Sequence, residues 1–461
     1  MRDISSLLAA LCLAGCSLAP PYQRPELPVA KTWPSGSAAE AAQKVGAGDT
    51  ATMDDFGDWR NVLPDPRLQA LVATALEYNR DLRISVARVA EARAQFGIVH
   101  ADRLPNVALS GGQSAARTPG RLTASGQPLT SRRYDVALGV TAFELDFWGR
   151  VKNLDAAARA SYLASEEAGE AFRLSLIADV ANAYFSRLEL DERLAIARAT
   201  LETRGESRRL IDKRREVGLA GDLDYLAADG AYASARAEVA NLERSRAAAA
   251  NALTLLVGTQ VADLPPGRRL REQLVLSHLP LALPSEVLLR RPDVRAAEQR
   301  LIAANANIGA ARAAFLPRVV LSLALGTASP TLAGLFDAGR SGAGVDLAEA
   351  RKVIAVAEYE KTLQQAFREI ADLLAARDWL AEQQAAVEAT ERTQSERLRL
   401  VDARYKAGVS SYLELLDAQR EAFVAQQTTL QVQRALSASA IQLYVALGGD
   451  SKPFDAAGGS E

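Results

Sequence analysis

The sequence predicts a mainly α-helical chain with a small β part, built as two copies of one unit. Three observations carry this expectation. Residues 345–407 contain neither glycine nor proline. Their larger apolar residues return every three or four positions, at Val356, Tyr359, Leu363, Phe367, Ile370 and Leu374, the stripe of a helix packed along one side. And residues of the first half recur in the second at fixed offsets.

The glycine-free stretch is rich in Ala, Leu, Glu, Gln and Arg, the strong helix formers. At 1.5 Å per residue it spans roughly 95 Å, which suits a rod, a coiled coil or a tube wall better than a globular domain. The net charge of −2 gives no sign of a nucleic-acid partner. No apolar run reaches the roughly 18 residues of a spanning helix. His100 and His278 stand in no metal-binding spacing and read as structural residues. With no nucleophile–base pair, metal cluster or phosphate loop in view, neither enzymatic activity nor a cofactor is expected.

At the N-terminus, the short apolar run Ile4 to Leu11 has the size of a signal-peptide core. Leu13-Ala14-Gly15-Cys16 follows and resembles a bacterial lipobox. Residues 1–15 are then a signal peptide and Cys16 the lipid attachment point. Cys12 departs with the signal, which leaves no disulfide. Ser17, where an aspartate would resemble an inner-membrane retention signal, favours outer-membrane sorting. Residues 16–52 form a lipidated leash, stiff and extended through Pro20, Pro21, Pro25, Pro28 and Pro34 and then a mobile linker over 35–52.

The duplication is detailed. Asp81, Arg83, Gly97, Leu104, Pro105, Val107 and Leu109 recur 212 residues later, as Asp293, Arg295, Gly309, Leu316, Pro317, Val319 and Leu321. Gly149, Arg150, Leu210, Asp212, Arg214, Gly218, Leu223, Leu226 and Gly258 recur 190 residues later, as Gly339, Arg340, Leu400, Asp402, Arg404, Gly408, Leu413, Leu416 and Gly448. Copy one (53–264) reads as a helix from about Asp65 to Arg103, a strand region at about 105–148, a long helix from about Val151 to Val217 with Gly169 and Gly205 as weak points, the turn 218–222, and a return helix from about Leu223 to Val257. In the strand region Tyr134, Val136, Leu138 and Val140 alternate with Asp135, Ala137, Gly139 and Thr141. A barrel wall between lipid and water reads this way, and so does a half-buried soluble sheet. A proline-bearing link (265–284) precedes copy two (285–450), which holds a helix from Ser285 to Phe315, strand-like residues 319–326, the long helix, the turn Gly408-Val409-Ser410, and a helix to about Leu447. Residues 451–461 form a tail.

Several segments, in this order, resemble the outer-membrane factor family of TolC-like and OprM-like efflux lipoproteins. They are Cys16 with Leu18-Ala19-Pro20, Tyr22, Arg24 and Pro25; residues 144–150 (ELDFWGR); 291–294 (RPDV) with Ala297-Glu298; 311–317 (ARAAFLP); 337–340 (DAGR); and 404–409 (RYKAGV) with 413–419. The resemblance covers nearly the whole chain. It implies a homotrimer in which each protomer adds strands to a shared membrane β-barrel and helices to an α-helical barrel across the periplasm. A periplasmic adaptor protein, an inner-membrane efflux pump and outer-membrane lipid are the implied partners, and the conduit passes small molecules without bond chemistry. By the same resemblance Tyr405, Leu413 and Asp417 form a periplasmic aperture, with Arg404 as ion-pair partner of Asp417. Gly218, Leu219, Gly221, Asp222, Gly408 and Val409 form tip turns that meet the adaptor, with Gly218 and Gly408 at φ > 0. A ring of like carboxylates attracts cations, and a leucine ring makes a dry constriction. Read alone, Asp417 and Arg404 are ordinary solvated helix charges.

One departure stands out. Copy one has 39 residues between Leu109 and Gly149, whereas copy two has 17 between Leu321 and Gly339. The second hairpin, at about 318–338, is therefore expected to be stunted. A lipid-anchored periplasmic scaffold, or a relative that no longer conducts, is the alternative this truncation allows.

Overall fold

The computed structural model describes residues 17–30, 33, 58–273, 285–324 and 339–449. The expected signal peptide, Cys16, the linker over 35–52, His278 with most of the inter-repeat link, residues 325–338 of the second hairpin, and the tail lie outside the described residues. The elements run α1 (Trp59–Val62), α2 (Pro66–Tyr78), α3 (Arg80–Ala101), β1 (Val107–Thr118), β2 (Leu129–Leu145), α4 (Arg150–Glu216), α5 (Asp222–Val257), α6 (Pro292–Ala313), β3 (Val319–Ala324), α7 (Arg340–Lys406) and α8 (Tyr412–Ala446). The strands form one antiparallel sheet in the order β1-β2-β3. Among the described residues no helix is long and apolar enough to cross a membrane.

The repeat is visible in the elements. Helices α4 and α7 are each 67 residues long, or about 100 Å. Both follow a glycine at positive φ, Gly149 at 71° and Gly339 at 86°. Helix α4 passes through Gly169 and Gly205 unbroken, and α7 starts five residues before the glycine-free stretch, running through Gly342 and Gly344. A single glycine costs a helix only about 1 kcal/mol, which packing along so long a stripe outweighs.

The chain contacts divide into two compact units. The first holds residues up to 26, 87–167 and 295–362, and so contains the sheet. The second holds 27–86, 168–294 and 363–461. Its main core joins both repeats: Leu63, Leu68 and Val72 pack with Leu174, Ile177, Val180 and Phe185 of α4, Val257 of α5, Leu270, and Ile441 and Tyr444 of α8. Asp65 sits buried at the edge of this core and caps α2 by accepting from the Arg67 N–H (2.8 Å). It also accepts from the Tyr184 hydroxyl (2.8 Å), the Arg268 N–H (3.0 Å) and the Gln273 side chain (2.5 Å). One carboxylate thus ties the start of the inter-repeat link to α2 and α4.

Two expectations need correction. The helix expected from Asp65 to Arg103 is two helices, broken at Asn79. The Asn79 side chain accepts from the Leu82 N–H (2.8 Å) and donates to the Leu256 carbonyl (2.7 Å). It therefore caps α3 and cannot continue α2. The helix expected from Ser285 opens as a 3₁₀ segment, Ser285–Arg290, and the α-helix begins at Pro292, because proline suits the first turn and no later position. The described part of the leash is held against helix, as shown below.

Candidate functional site

The hairpin of β1 and β2 has two unlike faces. The strands pair over twelve positions, from Val107 opposite Val140 to Thr118 opposite Leu129. Directly paired residues share a face. One face carries Val107, Leu109, Gln113 and Arg117 of β1 with Val140, Leu138, Val136, Tyr134, Arg132 and Thr130 of β2. The other carries Ala108, Ser110, Gly112, Ser114, Ala116 and Thr118 with Gly139, Ala137, Asp135, Arg133 and Ser131, and departs from small or polar residues at Leu129 beside the loop.

The pattern is reset by a bulge. Val140 pairs with residue 323 and Phe143 with Leu321, so β2 has one more residue than β3 over this interval. Ala142 absorbs the extra residue at φ 56°. The reset returns Phe143 and Leu145 to the face of Val140 and Leu138, which simple alternation beyond Thr141 would have turned away. The apolar face thus runs from Leu145 to Tyr134. Ten rises of about 3.3 Å, tilted near 45°, give a height of about 23 Å, close to the roughly 25 Å apolar band of a membrane barrel. Aromatic rings border the band, with Tyr134 at one end and the exposed Phe147 and Trp148 at the other. Trp148 is held by a bond from its indole N–H to the Pro317 carbonyl (3.0 Å).

In the second unit, the two helix turns are built alike. After α4, the Leu219 N–H bonds to the Arg214 carbonyl (2.7 Å) and the Gly218 N–H to the Arg215 carbonyl (3.0 Å). After α7, the Val409 N–H bonds to the Arg404 carbonyl (2.9 Å) and the Gly408 N–H to the Tyr405 carbonyl (3.0 Å). Gly218 and Gly408 both have φ 77°. This is the Schellman end of a helix, which needs a residue that tolerates positive φ. Gly221 caps α5 with no side-chain bond, and Asp222 and Asp224 place negative charge in the first turn, where the helix dipole favours it. Ser411 caps α8 by accepting from the Glu414 N–H (3.2 Å).

The hairpin ends pack against each other through Ile211, Ala228, Val401, Tyr412, Leu415 and Ala418. Tyr405 stacks obliquely on Tyr412 (5.9 Å between ring centres), and its hydroxyl accepts from Arg214 (3.3 Å). Burial pushes the Tyr412 hydroxyl pKa upward. Beside this core a cleft of about 710 Å³ is lined by Arg204, Ala231, Leu413, Asp417 and Arg420 among others. Arg204 donates to the Ala231 carbonyl (3.0 Å), its Nε is buried with no partner in the described residues, and burial lowers its pKa.

Of the four residues expected at an aperture, Leu413 and Asp417 therefore line one cleft. Tyr405 lies in the contact between hairpins, and Arg404 is exposed. The expected Asp417–Arg404 pair is not formed. Asp417 pairs instead with Arg397 (2.7 Å) and Arg420 (2.8 Å). Level matching in an antiparallel hairpin explains this: Asp417 lies nine residues after Gly408, Arg397 eleven before it and Arg404 only four before it. The turns also expose apolar side chains, the expected Leu219, Val409 and Leu413 together with Val217, Leu223 and Leu226, which lie outside the expected set. Leu223 and Leu219 are 80% and 77% exposed, and Val217, Leu226, Val409 and Leu413 are nearly as open. Recurrence of Leu223 and Leu226 at Leu413 and Leu416 was the available signal.

In the first unit, the start of the leash is strapped to helix. The Asn305 amide donates to the Pro20 carbonyl (2.8 Å), and Ser17 donates to the Asn153 side chain (2.9 Å). Glu298 accepts two bonds from Arg24 (2.7 and 3.0 Å) and one from the Tyr22 hydroxyl (3.0 Å). Ala19 lies so close to Gly309 that a Cβ there would sit 2.7 Å from it.

The sequence profile of the outer membrane efflux protein family matches residues 71–259 and 283–449. The chain is 42% identical to outer membrane protein OprJ of Pseudomonas aeruginosa over 468 aligned residues, covering 97% of this chain and 95% of the relative. It is 39% identical to the toluene efflux pump outer membrane protein TtgC of Pseudomonas putida, with the same coverage of both. The fold superposes on the open state of the Neisseria gonorrhoeae MtrE outer membrane channel with a TM-score of 0.82 at 35% identity, over 95% of this chain and 99% of that one. With matches over both repeats and nearly the full length, the chain belongs to the outer membrane efflux protein family.

Proposed function

We propose that the chain is the outer-membrane conduit of a tripartite efflux system, passing small organic molecules outward in concert with a periplasmic adaptor and an inner-membrane pump. The observation that carries this reading is the two-faced hairpin, whose apolar face is about 23 Å high between aromatic borders while its other face is small and polar. A single hairpin pair cannot close a barrel, so the wall is shared, and a homotrimer is the assembly proposed. Lipid on Cys16 anchors the chain, with the strap from Ser17 to Arg24 fixing where that anchor leaves the protein. The open leucines at the turns, with Gly218, Gly221, Asp222, Gly408 and Val409 shaping them, form the adaptor-docking end. Arg404, Tyr405, Leu413 and Asp417 lie at the same end, where the aperture is proposed.

Efflux rescue tests the reading. The chain is expressed in a strain lacking its own conduit, and toluene tolerance is scored alongside planar-bilayer recordings of the purified protein. A conduit restores tolerance and gives discrete conductance steps. The 17-residue spacing of the second copy, against 39 in the first, favours the scaffold reading instead. Folded protein with neither conductance nor rescue would establish that scaffold.

A further inference from the structure

The outer rim of the hairpin carries a feature that conduction does not require. Arg132 lies two residues beyond Tyr134 on the apolar face, and Arg117 lies opposite Thr130 on the same face. The two arginines are therefore diagonal cross-strand neighbours, about 7–8 Å apart at the backbone. Their direct partners are small: Arg132 faces Ala115 and Arg117 faces Thr130. Both side chains are exposed, and neither bonds or pairs with a described residue. Arg133, the next residue along β2, points to the opposite face and is neutralised by Asp135 (2.6 Å). Charge is thus balanced on the small, polar side and left unbalanced on the apolar side.

Position gives the charge a partner. Arg132 is two residues past Tyr134, and Arg117, level with Thr130, is four, rises of about 5 and 9 Å along a tilted strand. Those rises place both guanidinium groups beyond the tyrosine border, at the level of lipid headgroups. Arginine presents a planar fork of donors that matches phosphate oxygens, and two forks at this spacing reach one phosphate or two adjacent ones. We propose that Arg117 and Arg132 form a docking site for the phosphorylated headgroup of the lipid in the distal leaflet. The proposal rests on the membrane placement argued above. The site fixes the height of the hairpin in the bilayer from the outside, independently of the lipid on Cys16.

The test uses the full-length protein in nanodiscs of phosphatidylcholine with a small fraction of diphosphoryl lipid A, with retained lipid A quantified by mass spectrometry. Replacing Arg117 and Arg132 together by alanine should lower lipid A affinity about thirtyfold, at about fivefold per arginine near an anionic surface. Arg133→Ala should change nothing, and R117K/R132K should retain part of the binding. Millimolar inorganic phosphate should fail to displace the lipid. Equal retention by wild type and the double alanine variant overturns the site, as does an equal loss in Arg133→Ala or displacement by free phosphate. Heat-modifiable migration is followed in every sample. Preserved migration with unchanged lipid A binding removes the site and leaves the conduit standing, whereas failure of the wild type to insert at all removes both.

Discussion

Gly309 and Gly97 occupy equivalent places in the two repeats, yet alanine should act differently at each. Gly97 in α3 has nothing within 4 Å of an added Cβ. There Gly97→Ala should only improve the helix, by up to about 1 kcal/mol. Gly309 in α6 is pressed by the strap and by α4: an added Cβ falls 2.7 Å from both the Cβ and the N of Ala19 in the strap, and 2.5 Å from the Asn153 amide nitrogen in α4. Helix propensity favours alanine whether the strap is bound or released, so that gain cancels in the strap equilibrium. The contact with Asn153 is likewise present in both states, and what remains is overpacking against Ala19, typically about 1–3 kcal/mol. That multiplies the released fraction roughly 5- to 150-fold, at 1.36 kcal/mol per factor of ten. Chymotrypsin cleavage after Tyr22, followed by the mass of the N-terminal fragment, reads this fraction when release and rebinding outpace cutting. Gly309→Ala should be cut faster by that factor and Gly97→Ala at the wild-type rate. Equal rates in the two variants would refute the argument that the Gly309 contact holds the strap.

Other outcomes follow from the same geometry. Asp417→Ala and Arg397→Ala should both raise single-channel conductance, while Arg404→Ala leaves it unchanged; a matching rise in Arg404→Ala would restore the pairing expected from sequence. Leu223→Asp should abolish efflux rescue yet keep heat-modifiable migration, because only the docking end is altered; full rescue counts against adaptor contact there. Ala142→Gly should stabilise the hairpin by about 1 kcal/mol, since glycine takes the left-handed backbone of the bulge without strain, and a lower thermal midpoint would contradict that. Burial pushes the Asp65 carboxyl upward, but the bonds from Gln273, Arg268, Tyr184 and Arg67 outweigh it and hold the pKa below its ordinary value. Its stabilising contribution is therefore complete above the ordinary carboxylate range and is lost as pH falls through the depressed value. Asp65→Asn should lower the thermal midpoint at neutral pH and flatten its fall on acidification, and an unchanged acid limb would exclude this role.

Sequence periodicity was enough to locate the long helices, since a stripe over dozens of residues leaves little competition. It was equally informative at Gly218 and Gly408, because a glycine at the end of a helical pattern has a specific backbone task. What escaped it were interactions decided by residues far apart in the chain. The Asn79 break depends on Leu256, and the seat of the strap depends on Glu298 and Asn305. The resemblance suggests Arg404 as the Asp417 partner, whereas Arg397 lies nearer the same level of the hairpin and takes that place. The bulge at Ala142 was invisible for another reason: alternation shows where a face is, and only pairing with the neighbouring strand shows that its phase has slipped.

That slip has an inheritance of its own. Because parity is broken between Val140 and Phe143, the two ends of β2 answer to separate constraints. Gaining or losing one residue at this point would exchange oily and wet surfaces below it and leave those above untouched, so a single codon there governs which way half of the wall looks.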